Sequence, residues 1–396
     1  MATFSIRFLG CKVSQTDAQA VRERLLRDGH TQVEREAEVA VVNTCCVTHE
    51  AVRKSRQAAF RAARTHTRVY VTGCGANLAE DGFDGLPQNV VVVRRRSEET
   101  PEFVAGDVGA IGCVQADVRL ERVRAFVKVQ DGCSFSCSFC VVPLVRGASR
   151  SRPAAAVLAE IEKRVAQGHR EVVLTGINLG CYRDRQAGFG LPRLLREAGA
   201  IPGLARLRLS SLEVNHLTEE LVAAACETPT VSRHLHVPLQ SGDDRILRAM
   251  CRRYDAATYL RRVALADGFN LTTDVIVGFP GEDERAFERT LALVGEAGIT
   301  KIHVFPYSPR PGTRTEAEDA VPPAVKKERG ARLREASRLA CLDHWRRKIG
   351  RRDAVLVDRP GRGYGDDYSP WLVQGEIGEL VRVRGAAVSE EGIVAA

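Results

Sequence analysis

From Ala125 onward the chain repeats a short apolar strand pattern followed by a helical pattern, and this rhythm restricts the possible folds more than any other feature. Helical segments such as Pro153–Gln167 and Glu284–Ala297 separate the candidate strands. These strands are Ala125–Gln130, Glu171–Thr175, Leu204–Leu209, His234–Val237, Leu271–Val277 and Lys301–Phe305. Repeated βα units predict a partial TIM-type barrel, with its functional site at the C-terminal ends of the strands.

A second α/β pattern fills Thr3–Val93 and predicts an open parallel α/β domain. Its candidate strands are Phe4–Leu9, Val39–Asn43, Arg68–Thr72 and Val90–Val93, and its candidate helices are Asp17–Arg27 and Glu50–Arg64. Cys11, Cys45 and Cys74 each come just after a strand. Because ligands of open α/β sheets bind beyond the carboxyl ends of the strands, we expect these cysteines to converge on one site.

The pattern changes after a basic helix predicted over Pro323–Ile349. Short β-type runs separated by glycine-rich turns then predict a small all-β module of about fifty residues. The runs are Asp353–Val357, Trp371–Val373 and Gly378–Arg384. The segment Arg94–Val118 is weakly patterned and is predicted to connect the first two domains. The expected domains are therefore residues 1–115, 119–350 and 351–396.

Cys133, Cys137 and Cys140 follow the first barrel strand in a Cys-x-x-x-Cys-x-x-Cys spacing. Three thiolates can hold three irons of a four-iron cluster, which leaves the fourth iron open for chemistry. A ferredoxin run has a different spacing, and a structural zinc site needs four ligands. The spacing resembles the radical-SAM signature, in which the open iron chelates S-adenosylmethionine.

The N-terminal cysteines have two interpretations. Glycines accompany Cys11 and Cys74, which lets the backbone approach a bulky inorganic group. Alternatively, these are small buried residues between sheet and helix. Cys46 adjoins Cys45, and either cysteine could be the ligand. The remaining cysteines fit the interpretation of small buried apolar residues: Cys113, Cys181, Cys226, Cys251 and Cys341.

Polar and glycine-containing loops follow successive barrel strands and form a candidate S-adenosylmethionine site. Such loops are individually common, so the argument rests on their repeated placement at the same strand ends. The candidate cofactor-binding residues are Thr175, Gly176, Ser210, Ser211, Glu213, Gln240, Gly278, Pro280 and Gly281. His236 and His303 lie in or beside barrel strands, as either core or site residues.

The charge distribution points to a polyanionic partner. The formal net charge is +8, and the segment Lys326–Arg352 holds eleven Lys or Arg against three acidic residues. Nucleic acid is the favoured partner, and solvated helix faces are the alternative. The candidate RNA-binding residues are Arg346, Arg347, Lys348, Arg351 and Arg352. Without a long apolar run or a signal-peptide pattern, the sequence predicts a cytoplasmic protein.

The whole chain resembles the methylthiotransferase family of radical-SAM enzymes. The N-terminal matches are Gly10-Cys11-Lys12-Val13, Asn43-Thr44-Cys45 and Val71-Thr72-Gly73-Cys74. The later matches are Gly132–Cys140 with Pro143 and Arg146-Gly147, then Leu174-Thr175-Gly176, Pro238–Gly242, Val277–Glu282 and His303–Ser308. The Gly-Cys-Lys-Val form resembles the branch that acts on threonylcarbamoyladenosine in tRNA. Ser14, where that branch has Asn, and Cys46, where Thr is usual, depart from it.

This resemblance implies a radical methylthiolation of tRNA. Cys133, Cys137 and Cys140 would hold one 4Fe–4S cluster and Cys11, Cys45 and Cys74 a second, with no catalytic residues beyond these ligands. An electron would cleave S-adenosylmethionine, and the deoxyadenosyl radical would attack C2 of an adenosine beside the anticodon. The second cluster would supply the sulfur, and a second S-adenosylmethionine the methyl group. The implied organisation includes a C-terminal TRAM module, an external electron donor and a monomeric chain.

Three alternatives remain open at the level of sequence. The substrate could be isopentenyladenosine in tRNA, although that branch usually has Gln-Met after the first Gly-Cys. It could be a ribosomal protein, although that branch has Pro-Lys there. In a different class, the chain could be a non-catalytic RNA-binding iron–sulfur redox sensor, which would not cleave S-adenosylmethionine.

Overall fold

A computed structural model describes residues 2–78, 82–109 and 123–396. The described residues form two compact units. The first contains the N-terminal segment with Asp131–Ser149 and Ser308–Ala317, and the second contains the rest of the chain from residue 123. Cys113 and the predicted domain boundary at residues 115–119 lie outside the described residues.

The first unit is built on a parallel sheet. Its elements are β1 (Thr3–Phe8), α1 (Lys12–Arg27), β2 (Thr31–Gln32), β3 (Val39–Thr44), α2 (His49–Ala63), β4 (Arg68–Gly73), β5 (Val90–Val92), α3 (Thr100–Val108) and α4 (Val142–Arg146). The strand order is β2-β1-β3-β4-β5, and every neighbouring pair is parallel. All six residues of β3 are buried, as expected for a central strand covered on both faces. The predicted open α/β fold is confirmed.

The second unit contains a six-stranded partial barrel. Its strands are β6 (Arg124–Lys128), β9 (Glu171–Thr175), β12 (Arg206–Leu209), β13 (His234–His236), β14 (Asn270–Val277) and β15 (Ile299–Pro306). Its helices are α5 (Ala154–Ala166), α6 (Leu191–Gly199), α7 (Glu219–Glu227), α8 (Asp244–Ala249), α9 (Ala256–Ala264), α10 (Glu284–Glu296) and α11 (Pro323–Arg346). Short elements are β7 (Gln130–Asp131), β8 (Arg150–Ser151), β10 (Arg183–Asp184), β11 (Phe189–Gly190) and single 3-10 turns at Leu179–Cys181 and Val214–His216. Each predicted barrel strand overlaps a strand of the structure.

The strands run side by side in the order β6, β9, β12, β13, β14, β15. Two three-stranded parallel sheets meet where Ser211 and Leu207 form single bridges to His236 and Val231. Alternate residues such as Val127 and Leu174 belong to the apolar core. Because successive strand residues point to opposite faces, the intervening positions face the other side, which is the inside of the barrel.

A small closed barrel follows α11. It is formed by β16 (Arg352–Arg359), β17 (Arg362–Tyr364), β18 (Pro370–Leu372), β19 (Leu380–Ser389) and β20 (Gly392–Ala395). The strand order is β16-β17-β18-β20-β19, and antiparallel pairing of β16 with β19 closes it. Val355, Val357, Trp371 and Ile393 are buried in its centre. The expected all-β module is present, and β17 and β20 are strands that the sequence patterns did not indicate.

Buried arginines join this small barrel to the N-terminal ends of the large barrel's strands. Arg206 donates to the carbonyl oxygens of Ala354 at 2.6 Å and Tyr364 at 2.9 Å. Arg206 and Arg208 also bind the carboxylate of Glu171, at 3.4 and 3.0 Å. Burial acts to raise the pKa of Glu171, but the charges of Arg208 and Arg206 outweigh it, so that pKa is lowered.

Candidate functional site

The loop that carries Cys133, Cys137 and Cys140 begins after Gly132, whose backbone conformation favours glycine. Gly132 has φ +68°, and a Cβ there would collide with the carbonyl oxygens of Ala148 and Gly147. The Cys133 N–H donates to the Gly147 oxygen at 3.0 Å. The loop therefore folds back against the residues that follow α4, which fixes where its first cysteine lies.

The three cysteines of this loop are partly accessible. All have intermediate exposure, and the Phe135 N–H lies 3.4 Å from the Cys133 sulfur. Peptide N–H groups directed at sulfur help to set the potential of an iron–sulfur cluster. No three His, Cys, Asp or Glu side chains within the described ranges form a site for a single metal ion.

The N-terminal cysteines converge at one edge of the parallel sheet. Cys11 is the N-cap residue of α1, Cys45 follows β3 and Cys74 follows β4. Burial raises the pKa of Cys74 to about 12, and the charges of Cys11 and Cys45 add to that rise while Arg146 opposes it. Burial also raises the pKa of Cys45, with Cys11 contributing. Each of the three thiols is thus close enough to influence another, as the sequence predicted.

Glycines beside these cysteines allow neighbouring segments to pack closely. Gly10 has φ +128°, and a Cβ there would lie 2.8 Å from the Ser14 hydroxyl and 3.2 Å from the Cys45 Cβ. A Cβ at Gly75 would lie 2.6 Å from the Thr44 hydroxyl. Ser14 Oγ lies 3.7 Å from the Cys11 sulfur, so the residue that departs from the family pattern contacts a candidate ligand.

Cys46 occupies a different environment from Cys45. It is fully buried and packs in an apolar cluster with Leu78, Val141 and Val145. Burial raises the pKa of the Cys46 thiol, and the charges of Cys74 and Cys45 add to this rise. Cys74 belongs to the same cluster as Cys46, so Cys45 and Cys46 both lie beside another candidate ligand.

Arg146, at the end of α4, matches a family motif in the sequence but was not predicted to be a site residue. Its Nε donates to the Cys74 sulfur at 2.9 Å, and its terminal nitrogens bind Asp17 at 2.8 Å and Asp131 at 3.0 Å. All three charged side chains are 5–6% exposed. Burial acts to lower the pKa of Arg146, but Cys74, Asp17 and Asp131 raise it well above its usual value. The arginine therefore stays charged beside Cys74.

Thr175, Gly176 and Ser210 meet at the C-terminal ends of β9 and β12. The Gly176 N–H donates to the Ser210 hydroxyl at 3.3 Å. Gln130, which the sequence did not indicate, accepts from the Asn178 N–H at 2.8 Å, and a Cβ at Gly176 would lie 2.9 Å from the same Gln130 oxygen. These residues form one polar cluster at the strand ends where the candidate cofactor site was predicted.

Glu213 has partners within the protein. Its carboxylate accepts from the Asn215 backbone at 3.0 Å and side chain at 3.2 Å, and lies 3.6 Å from Arg252. The neighbouring Ser211 pairs with His236 through the backbone. These contacts give Glu213 a structural function that the sequence interpretation did not foresee.

The Gly278–Glu282 turn is anchored to α11. The Gly278 N–H donates to the Glu282 carboxylate at 2.8 Å, and Arg329 binds the same carboxylate at 2.7 Å. Gly278 and Gly281 have φ of +72° and +82°, and a Cβ at Gly278 would collide with the Lys326 side chain. Pro280 lies between them. The turn is therefore held in a shape that places bare backbone at the end of β14.

Gln240 occupies the corresponding position after β13. It has φ +69°, and its N–H donates to the Asp274 carbonyl oxygen at 2.8 Å. The Gln240 carbonyl oxygen accepts from the Ile276 N–H at 2.9 Å. These bonds extend the pairing with β14 beyond β13 and fix the strand-end position of Gln240.

His236 and His303 lie on the inside of the large barrel. Ile302 is in the apolar core and Val304 packs against it, so His303 and Phe305 face the opposite side. His236 lies 3.2 Å from the Asp274 carboxylate, and its ring centre is 5.5 Å from that of His303. Phe305 is 40% exposed. The interior thus offers imidazoles, a carboxylate and an open aromatic face.

The candidate RNA-binding residues lie where α11 meets the small barrel. Arg346, Arg347, Arg351 and Arg352 are exposed. One cavity of about 530 Å³ is lined by Arg347, Lys348, Arg351 and Arg352. Lys348 differs, because its ammonium binds Asp353 at 2.8 Å and Asp367 at 2.7 Å. This lysine is already neutralised within the protein, and Arg347 forms an ion pair with the exposed Asp343. Arg346, Arg351 and Arg352 are therefore the stronger phosphate candidates.

Within the part of the chain that the structure describes, no helix is long and apolar enough to cross a membrane.

Two family models match this chain. The Radical SAM superfamily matches residues 127–294, and the Uncharacterized protein family UPF0004 matches residues 3–93. The first match begins in β6 and includes the Cys133–Cys140 loop. Barrel and loop together define a protein of the radical-SAM class.

Relatives extend the similarity to the whole chain. A threonylcarbamoyladenosine tRNA methylthiotransferase, MtaB, from Thermotoga maritima is 32% identical over 100% of this chain and 96% of its own length. A tRNA-2-methylthio-N(6)-dimethylallyladenosine synthase from Sorangium cellulosum is 37% identical over 90% of this chain and 82% of its own length. The chain therefore belongs to the radical-SAM methylthiotransferase family.

A solved structure supports the fold. The radical S-adenosylmethionine methyltransferase TsrM from Kitasatospora setae, with cobalamin and a 4Fe–4S cluster bound, matches with a TM-score of 0.58. The match covers 80% of this chain and 77% of that chain at 16% sequence identity. At this identity the likeness concerns the fold alone.

Proposed function

We propose that this protein is a tRNA methylthiotransferase that converts N6-threonylcarbamoyladenosine beside the anticodon into its 2-methylthio derivative. The observation that carries the proposal is the convergence of Cys11, Cys45 and Cys74 at one sheet edge, in a chain that also has the Cys133–Cys140 loop. A radical step and a sulfur-supplying step need separate sites. The full-length similarity to the Thermotoga maritima relative supports threonylcarbamoyladenosine as the substrate.

The residues present fit two 4Fe–4S clusters and S-adenosylmethionine. Cys133, Cys137 and Cys140 would hold the group that, when bound, supplies the electron for reductive cleavage of S-adenosylmethionine. Cys11, Cys45 and Cys74 would hold the second. The donor set itself supports this assignment, because three thiolates can bind three irons of a four-iron cluster. Cofactors of this kind carry the hard chemistry, and the protein positions them.

The polar strand-end residues would bind S-adenosylmethionine. Ser210 already accepts the Gly176 N–H, so these two groups are held in place before any ligand arrives. Gly278, Pro280 and Gly281 would admit the adenine against bare backbone. Thr175, Ser211 and Gln240 would complete the cofactor site, because each lies at or just after the C-terminal end of a barrel strand. Preorganised groups of this kind reduce the ordering cost of binding.

The charged side chains around Cys74 have a separate function in this account. Arg146 directs an N–H at the Cys74 sulfur while Asp17 and Asp131 fix its orientation. An N–H donor and a positive charge both favour a thiolate ligand over a neutral thiol. Arg146 would therefore prepare Cys74 for ligation, and the buried carboxylates keep the guanidinium in position.

The tRNA would be bound by charge and read by extrusion of one base. Arg346, Arg347, Arg351 and Arg352 would contact phosphates, which position an RNA without specifying its sequence. Lys348 would hold the end of α11 against the small barrel through Asp353 and Asp367. A base of the anticodon loop would enter the barrel, where Phe305 offers a stacking face, as single-stranded RNA readers commonly do.

The proposed function also includes a function for each domain, an electron donor and an oligomeric state. Residues 351–396 would be a TRAM module, following an N-terminal methylthiotransferase domain over residues 1–115 and a radical-SAM core with the basic helix over residues 119–350. An external electron donor would reduce the loop cluster. The chain would act as a cytoplasmic monomer.

The second candidate substrate is isopentenyladenosine in tRNA. The Sorangium cellulosum relative, whose name specifies the dimethylallyl nucleoside, is more identical to this chain than the Thermotoga maritima relative, but over less of it. Lys12-Val13 after Cys11 favours the threonylcarbamoyl substrate.

Nucleoside analysis of tRNA distinguishes these substrates. A strain without this gene is complemented with the wild-type chain or with Cys133→Ala, and tRNA nucleosides are measured by mass spectrometry. We expect 2-methylthio-threonylcarbamoyladenosine only with the wild-type chain. Loss of 2-methylthio-isopentenyladenosine instead would favour the second substrate. No change in either nucleoside would contradict a tRNA function.

A further inference from the structure

Asp274 and His303 form a polar pair on the inside of the large barrel. They are paired residues of the neighbouring parallel strands β14 and β15. The adjacent residues Val275 and Ile302 belong to the apolar core on the other face of the sheet, so Asp274 and His303 point into the barrel. The Asp274 side chain is 25% exposed and His303 is exposed. Both side chains are therefore accessible from the barrel interior.

His236, on the adjacent strand β13, lies beside this polar pair. Its Nε2 lies 3.2 Å from Asp274 Oδ1, and its ring centre is 5.5 Å from that of His303. The Thr272 hydroxyl contacts the same ring at Nδ1, at 2.9 Å. Because a carboxylate can accept several hydrogen bonds, the contact with His236 leaves Asp274 able to accept from a ligand as well.

An apolar pair lies next to the polar pair, nearer the C-terminal ends of the strands. Phe305 is paired with Ile276 of β14, and Phe305 is 40% exposed. Phe305 and His303 are two residues apart on one face of β15, which separates them by about 6–7 Å along the strand. A base stacked on Phe305 can thus extend a substituent of several bonds as far as Asp274 and His303.

The chemistry of the polar pair suits a threonylcarbamoyl substituent on N6 of adenosine. This substituent carries a carboxylate, a hydroxyl and urea N–H groups, so it needs hydrogen-bond donors and acceptors. The His303 imidazole offers an N–H, and Asp274 offers acceptor oxygens. A dimethylallyl substituent has no polar atom. Its contact with Asp274 and His303 would remove these side chains from water without replacing their hydrogen bonds, which is unfavourable.

We propose that Asp274 and His303 determine which nucleoside this enzyme accepts. His303 donates a hydrogen bond to the threonyl carboxylate, and Asp274 accepts one from the hydroxyl or a urea N–H. This inference rests on the proposed function, because it assumes that the modified adenosine enters the barrel. It also gives a reason to prefer the threonylcarbamoyl substrate to the isopentenyl one that is independent of Lys12-Val13.

The test measures binding, so that recognition is separated from turnover. The full chain is reconstituted anaerobically with iron and sulfide, and its dissociation constants are measured for anticodon stem-loop RNAs that differ only in the substituent on one adenosine. We expect wild type to bind the threonylcarbamoyl loop at least about tenfold more tightly than the dimethylallyl loop, since charge-assisted hydrogen bonds are strong.

The variants change one side of this contact at a time. His303→Leu and Asp274→Leu should each weaken binding of the threonylcarbamoyl loop by at least about tenfold, and of the dimethylallyl loop by less than about twofold. His303→Gln keeps an N–H donor and should retain most of the affinity. His169→Leu is the matched control, because His169 precedes β9 at the N-terminal end of the strands. It should bind both loops as wild type does.

A third RNA, with the threonyl carboxylate converted to its methyl ester, separates direct contact from a folding defect. The ester should weaken binding to wild type but hardly affect binding to His303→Leu, because the partner of the carboxylate is already gone. Equal weakening in both proteins would overturn the proposal. Equal affinity of wild type for the threonylcarbamoyl and dimethylallyl loops would also overturn it. If the predicted coupling is found but wild type does not methylthiolate the threonylcarbamoyl loop, only the proposed function is rejected.

Discussion

Arg146 shows how one residue can link local chemistry to stability. Its three contacts lie on different segments: Asp17 in α1, Cys74 after β4 and Asp131 ahead of the cysteine loop. Arg146 places one positive charge between two buried carboxylates. Removing one partner of a buried ion pair costs far more than removing an exposed pair, since the remaining charge stays buried.

Replacing Arg146 with Ala should destabilise the apo protein by about 3–5 kcal/mol, because Asp17 and Asp131 would stay buried and lose their ion pairs with the guanidinium. Urea unfolding at neutral pH measures the change. The control is Arg53→Ala, which removes an exposed pair with Glu50 and should cost no more than about 1 kcal/mol. Equal losses for the two variants would contradict the assignment.

Phe305 is the second residue for which the structure gives a direct expectation. If the extruded base stacks on this ring inside the barrel, Phe305→Ala should raise the KM for tRNA by roughly tenfold, since base stacking on an aromatic ring contributes about 1–3 kcal/mol. Phe305→Tyr retains the ring and should stay near wild type. An unchanged KM for the Ala variant would place the base elsewhere.

At the scale of elements, the C-terminal end of α11 combines two functions that a charge count cannot separate. Burial acts to lower the pKa of Lys348, but Asp367 and Asp353 outweigh it and raise that pKa. Lys348 therefore fastens the helix to the small barrel. Arg346, Arg351 and Arg352, in contrast, are exposed and available to phosphate.

This difference predicts two distinct phenotypes. Changing Arg346, Arg351 and Arg352 together to Ala should reduce the slope of log K against log salt for tRNA binding, by about 0.7–0.9 for each phosphate that the protein no longer neutralises. Lys348→Met should lower the melting temperature and leave the slope near wild type. The assignment is wrong if the Lys348 variant changes the slope and the triple variant does not.

The same elements show how far the sequence could predict the structure. The order of strands and helices, and the meeting of Cys11, Cys45 and Cys74, were predictable because parallel strands end at a common edge. The partners of Arg146 and Glu171 were not, since they join segments far apart in the sequence. Glu213 remains a predicted cofactor-binding residue, but its loop position did not reveal that its carboxylate also accepts hydrogen bonds from Asn215.

At the scale of the whole molecule, buried carboxylates make folding sensitive to acid. The arginines beside Glu171 hold its pKa below the usual 4.5, although burial alone would raise it. Hydrogen bonds and charge from His344 and Lys348 likewise lower the pKa of Asp367, against the effect of burial. Glu171 and Asp367 therefore bind more protons in the unfolded chain than in the native protein in mildly acidic solution.

The resulting stability is fully present above the unfolded pKa of about 4.5 and is lost as pH falls through the lower native values. The free energy of unfolding should accordingly drop as pH falls below about 4.5. Glu171→Gln should show a shallower fall from a lower starting stability. Glu220→Gln, an exposed carboxylate on α7, should follow the wild-type curve. Identical pH profiles for wild type and Glu171→Gln would refute this explanation.

The most direct test of the central claim, that two cysteine sites perform separate steps, is an anaerobic assay with reconstituted protein, S-adenosylmethionine, reductant and tRNA carrying threonylcarbamoyladenosine. Mass spectrometry measures 5′-deoxyadenosine and the methylthio nucleoside in the same reaction. We expect both products from wild type, neither from Cys133→Ala, and only 5′-deoxyadenosine from Cys74→Ala. A Cys74→Ala protein that still makes the methylthio nucleoside at the wild-type yield would contradict the account.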